Sequence, residues 1–137
     1  MFRVMVRVDR WIREKAATSL NPSQTETSLV QLDERWPPSA PLLVDVVEQF
    51  PLGETSLLHL LAVSSICATR LVRNPETLLW LRQPEVCLAS RGYAEMLDEL
   101  RTVAGDSIAA ENFAALRVWK GREMTRIALR ELANLAP

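Results

Sequence analysis

The segment from Asp106 to Leu135 reads as one long helix, and a helix of that length limits what the rest of the chain can be. At ~1.5 Å per residue it would run ~45 Å. A compact chain of 137 residues has a radius of gyration of ~14 Å and a breadth of roughly 37 Å. An unbroken helix starting at an Asp106 cap should therefore overhang its own domain. At 3.6 residues per turn, Ala109, Phe113, Leu116, Met124 and Ile127 form one apolar stripe. Ala114, Val118, Leu129 and Leu132 form a second beside it. Two stripes imply neighbours on two sides. Val118, Leu129 and Leu132 are the candidate apolar interface.

The remaining band carries Trp119, Arg122, Glu123, Arg126 and Arg130. Arg122, Arg126 and Arg130 follow one another at i, i+4 and i+8. Glu123 is within reach of Lys120 or Arg126, and Glu131 lies beside Arg130. A solvated, ion-paired face is the ordinary outcome of such a pattern. The sharper reading makes Lys120, Arg122, Arg126 and Arg130 a docking face for an acidic or phosphate-bearing partner, since a guanidinium fork suits both. Gly121 interrupts this helix at a cost of about 1 kcal/mol relative to alanine. A close helix–helix approach or a kink would offset that cost.

The rest of the chain is also helical in pattern. Glycine is scarce, and alternation is confined to Phe2–Val8, which leads into Trp11, Ile12 and a helical continuation. Residues 21–26 look loop-like, and a short helix is expected over Thr27–Trp36. Pro37, Pro38 and Pro41 break the chain, because proline removes a donor and disfavours helix before it. This is the expected internal hinge. A short helix over Leu42–Phe50 follows, closed by Pro51 and Gly53. Leu57, Leu60, Leu61, Ser64, Ala68, Leu71 and Val72 then mark one amphipathic helix from about Thr55 to Arg73. His59, Arg70 and Arg73 fall on its opposite side. Asn74-Pro75-Glu76 restarts the helix, with Asn as N-cap and Pro in the first turn. Another helix runs from about Gly92 to Ala104, with Gly105 as its stop. The expected fold is one all-α domain over residues 1–137: an irregular bundle of about six helices ending in the long one.

Composition narrows the functional classes. Net charge is −1, which disfavours nucleic acid as a partner. Cys67 and Cys87 lie far apart beside a single histidine, His59, too few ligands for an ordinary zinc site. Both are expected to be reduced and buried. The most apolar run, Leu57–Ala68, is too short to span a bilayer. Arg3, Arg7, Arg10 and Arg13 are not followed by the apolar stretch of a secretory signal, and Asp9 and Glu14 argue against an organellar presequence. A cytoplasmic location is expected.

Two segments resemble a known family. Ala115–Leu132 (Ala-Leu-Arg-Val-Trp-Lys-Gly-Arg-Glu-Met-Thr-Arg-Ile-Ala-Leu-Arg-Glu-Leu) is similar to the long helix that leads into the first nucleotidyltransferase domain of glutamine synthetase adenylyltransferase / adenylyl-removing enzymes. Upstream, Ser64–Leu81 resembles that family's segment in which a helix ends in a basic residue and Pro-Glu opens the next. The likeness covers about Leu57 to Pro137; earlier residues share only helical character. One departure is the reduction of the family's basic cluster to Lys120-Gly121-Arg122.

The resemblance implies a role in adding or removing AMP on glutamine synthetase in nitrogen regulation. The complete enzymes use ATP and a divalent metal, and their partners are glutamine synthetase and a PII-type regulator. Their chemistry needs a Gly-Ser turn followed by an Asp-x-Asp pair. This chain has no Asp-x-Asp and no glycine-rich phosphate loop, so it is not expected to be an enzyme by itself or to hold a cofactor. Asp45 with Glu48, and Asp98 with Glu99, read as surface charge. The expected role is a non-catalytic scaffold or docking part that serves a separate nucleotidyltransferase domain or partner protein. The alternative is a free-standing helical interaction module, dimeric through the exposed stripe of its last helix.

Overall fold

The computed structural model describes residues 2–104 and 113–134, in which the regular structure is all helical, with no strand among them. In chain order the helices are α1 (Phe2–Ala17), α2 (Pro22–Arg35), α3 (Leu43–Glu48), α4 (Glu54–Val63), α5 (Ser65–Arg73), α6 (Glu76–Leu81), α7 (Pro84–Cys87), α8 (Tyr93–Ala104) and α9 (Phe113–Leu132). The all-α expectation holds, with nine helices among the described residues where about six were expected. The surplus comes from one break inside an expected helix, at Ser64, and from the single turn α7.

The first difference lies at α2. It starts at Pro22, inside the stretch read as a loop. Asn21 is its N-cap: the side-chain oxygen accepts from the Gln24 backbone N–H at 3.2 Å, and Pro22 occupies the first turn. Cap and proline together satisfy an orphan donor and preset φ, which is why the helix begins there. α2 ends before the prolines, as expected. The Trp36 indole N–H donates to the Pro41 carbonyl at 2.7 Å, and Ala40 N–H to the Pro37 carbonyl at 3.1 Å, so the Pro-rich segment is a tied turn.

The second difference is at Ser64. The single helix expected over Thr55–Arg73 is two, α4 and α5, bent by 108°. Ser64 has an extended backbone and its hydroxyl accepts from Cys67 N–H at 3.1 Å, so the residue that ends α4 caps α5. The freed carbonyls at the end of α4 find a partner in α2. The Gln24 amide donates to Leu61 O at 2.7 Å and to Ala62 O at 3.1 Å. The expected stripe survives the break: Leu57, Leu60, Leu61, Ala68, Leu71 and Val72 are all buried. No single helix among the described residues is long and apolar enough to cross a membrane; only the bent α4–α5 pair approaches that composition.

Gly53 precedes α4 with φ +91°, a left-handed value that suits a residue without Cβ. Around α4 the core gathers side chains from most of the molecule: Ile12 of α1, Leu29 and Leu32 of α2, Val46 and Val47 of α3, Leu78 and Leu81 of α6, and Leu129 of α9. Each fully buried Leu or Ile contributes roughly 1.5–3 kcal/mol. α9 lies across this core, touching α4 and α7 toward its C-terminal end and pairing with α8.

Over its described span α9 is 20 residues, or about 30 Å long. That is shorter than the expected breadth of the domain, so the overhang is not met over this span. The expected cap at Asp106, the Gly105 stop and the outer ends of the long helix lie outside the described residues. α9 closes at Asn134, whose φ of 60° gives the left-handed stop that glycine often supplies.

Candidate functional site

The C-terminal half of α9 faces the core with charge. Arg126 is completely buried, Glu123 and Arg130 are nearly so, and Thr125 and Leu129 fill the spaces between them. The reading of this band as solvated is therefore corrected. Glu123 is the hub. One carboxylate oxygen accepts from Arg126 Nε at 2.8 Å, and the other accepts from Arg91, which precedes α8. Arg91 also meets Glu99 of α8 at 2.6 Å. Two arginines and two glutamates thus form a charge-balanced network at the α8–α9 junction. Arg130 donates to the Cys87 carbonyl at 2.6 Å and so ties α9 to α7. Burial on this scale is tolerable because each charge is bonded on the spot.

The residues expected to form one docking face do not share a surface. Lys120 is exposed, Arg122 is half-buried, and Arg126 and Arg130 point inward. The candidate apolar interface is divided as well. Leu129 is wholly buried in the core, Leu132 is half-buried against it, and Val118 is about half exposed. The side of α9 that does face solvent carries Phe113 and Met124, members of the other stripe. Leu129 and Leu132 face the core as their spacing predicts, but Glu123, Arg126 and Arg130 go inward with them. The bonds from Arg91 and to the Cys87 carbonyl draw these charges inside.

The N-terminal half of α9 forms a different environment. A surface pocket of about 170 Å³ opens between α9, the end of α5 and the start of α6. Arg117, Val118, Gly121 and Arg122 line one wall, and Arg70, Asn74 and Thr77 line the other. Among the described residues that line it, none is acidic. Among the described residues, no salt bridge engages Arg70, Arg117 or Arg122. Among the described residues, the buried Arg122 Nε finds no hydrogen-bond partner, and neither does the Trp119 indole nitrogen. The Arg122 guanidinium lies 5.7 Å from the Trp80 ring centroid, as does that of Arg91, so one aromatic ring is shared by a pocket arginine and a network arginine.

Gly121 sits where the walls meet. A Cβ added there would lie 3.6 Å from Cδ and Nε of Arg70, an ordinary contact, so the glycine is not required to make room. The close helix–helix approach expected at Gly121 is not found; its neighbour is an arginine side chain. Asn74, expected to cap α6, makes no side-chain cap bond; the helix starts one residue later, with Pro75 at the cap position, and Asn74 lines the pocket. Arg70, Asn74, Thr77 and Arg117 were not singled out from sequence as site residues. The mid-helix glycine was the signal that something crosses α9 at this point.

The other candidates are quiet. Cys67 and Cys87 are free and buried. Burial pushes the Cys87 thiol up, against a smaller lowering from a backbone hydrogen bond and from Arg130. Among the described residues no three His, Cys, Asp or Glu side chains are grouped to hold a metal ion. Comparison with family models, curated proteins and solved structures finds no match.

Proposed function

We propose that this chain is a non-catalytic, cytoplasmic scaffold and docking segment of a glutamine synthetase adenylyltransferase-like protein. One observation carries the reading. The two segments with the family-like pattern, Ser64–Leu81 and Ala115–Leu132, are distant in sequence, yet they supply the two walls of one pocket. In this reading the chain performs no chemistry. It holds α9 at a fixed angle to α5 and α6, and presents that face to a nucleotidyltransferase domain, to glutamine synthetase or to a PII-type regulator.

The test is the reading frame that follows the Pro137 codon in the source genome. A Gly-Ser turn and an Asp-x-Asp pair in that frame, or in an adjacent gene whose product binds this chain, support the proposal. An unrelated domain there, together with no co-sedimentation of the chain with glutamine synthetase, overturns it.

The second reading, a free-standing module that self-associates, draws on the exposed Phe113 and Met124 of α9. Sedimentation velocity over a wide concentration range separates the two. A concentration-dependent dimer lost in Met124→Lys favours self-association, and a strict monomer removes it.

A further inference from the structure

We propose that the pocket between α5, α6 and α9 binds the phosphoryl group of a small phosphate-bearing molecule. This goes beyond the docking role and does not depend on it.

The argument begins with charge. Arg70, Arg117 and Arg122 converge on one small space where no carboxylate lines the wall among the described residues. Guanidinium groups stay charged at any physiological pH. Three of them facing one pocket repel one another unless an anion enters. Elsewhere on the same helix the pattern is different: Arg126 meets Glu123, and Arg130 meets a carbonyl. The pocket arginines have no such counterpart among the described residues, and the buried Arg122 Nε has no acceptor.

The shape and donor set select the anion. Guanidinium forks present planar, paired N–H donors that match phosphate oxygens. A phosphate monoester carries about −1.5 to −2 charge at neutral pH and three strong acceptor oxygens. A carboxylate offers one charge and two oxygens, too few for three arginines. Thr77 and Asn74 add neutral polar groups at the wall opposite Arg117. The space of about 170 Å³ corresponds to roughly five to six water volumes at ~30 Å³ each. That admits a phosphoryl group and leaves the remainder of the ligand outside, past the exposed Arg117 and Val118.

The experiment is a titration of the uniformly ¹⁵N-labelled protein at constant ionic strength, read on the arginine Nε–Hε cross-peaks. The probes are inorganic phosphate, phenyl phosphate as a monoester, and acetate as the carboxylate control. Arg122→Lys identifies the Arg122 signal. Both phosphates should shift that signal along a saturating curve, and acetate should leave it in place. Arg117→Gln, at an exposed position, and Arg70→Gln should each weaken binding at least about tenfold, the loss expected for a charge-assisted bond. Saturation by inorganic phosphate but not by the monoester would restrict the site to the free ion and overturn the assignment to a larger molecule. Equal, non-saturating shifts from phosphate and acetate would overturn the site altogether. So would unchanged phosphate affinity in Arg117→Gln, whose folding is checked by circular dichroism.

Discussion

The two halves of α9 carry the same residue types and put them to opposite uses. From Glu123 onward, arginine is interior: Arg126 and Arg130 are buried and bonded, and Leu129 joins the core between them. Before Glu123, arginine borders an open pocket, and Phe113 and Val118 are exposed. Helical spacing does not separate these cases. What separates them is what lies across from each residue. Arg91 reaches Glu123 from 32 positions away, and the Cys87 carbonyl meets Arg130 across 43. A charged side chain goes inward where the fold supplies a counter-charge or a carbonyl, and stays at the surface where it does not.

That contrast can be broken from its buried side first. Arg126→Ala removes a charge bonded to Glu123 in the interior, and should destabilise the protein by about 3–5 kcal/mol. Urea denaturation checks this, and a loss below about 1 kcal/mol, the scale of a surface pair, would mean that the network is solvated. A smaller effect of opposite sign is expected at the junction of the halves. Gly121→Ala adds a methyl at ordinary contact distance from Arg70, and should gain up to about 1 kcal/mol from helix propensity. A strong destabilisation would show that the crossing at Gly121 is tighter than a side-chain contact.

The smallest effect belongs to a half-buried pair outside α9. Lys15 bonds Glu54 at 2.8 Å, with both side chains partly in solvent. This hydrogen bond is the main cause that raises the Lys15 pKa, with burial opposing it. A raised folded value means that the contribution is complete at neutral pH and is lost as pH climbs through that value, above about pH 10.4. Lys15→Met should therefore cost at most about 1 kcal/mol at pH 7. The difference from the parent protein should vanish in strong alkali. A difference that grows with pH would contradict the assignment.

Much of the fold was legible because local signals and burial agree. The stripe from Leu57 to Val72 was read as core, and it is core, although Ser64 breaks the helix that carries it. The break was not legible, because serine inside an amphipathic pattern is tolerated as often as it caps. The two Asn-Pro pairs make the same point. Asn21-Pro22 starts α2 with a side-chain cap and was read as loop, whereas Asn74-Pro75 was read as a capped start and has no side-chain cap. Each pair is a sound helix-start signal, but its outcome depends on what surrounds it. The pocket was least legible. Arg70 looked like an outer-face residue of its helix, and only the glycine at position 121 hinted that α9 had a close neighbour.

The division of α9 is tested most directly by hydrogen exchange at the arginine Nε–Hε sites, measured with and without phosphate in one sample. Arg126 should exchange slowly in both conditions, because its Nε–H is buried and bonded to Glu123. Arg122 alone should respond to phosphate. Exchange at Arg126 as rapid as in an exposed arginine, or a phosphate response shared equally by Arg122 and Arg126, would contradict the account.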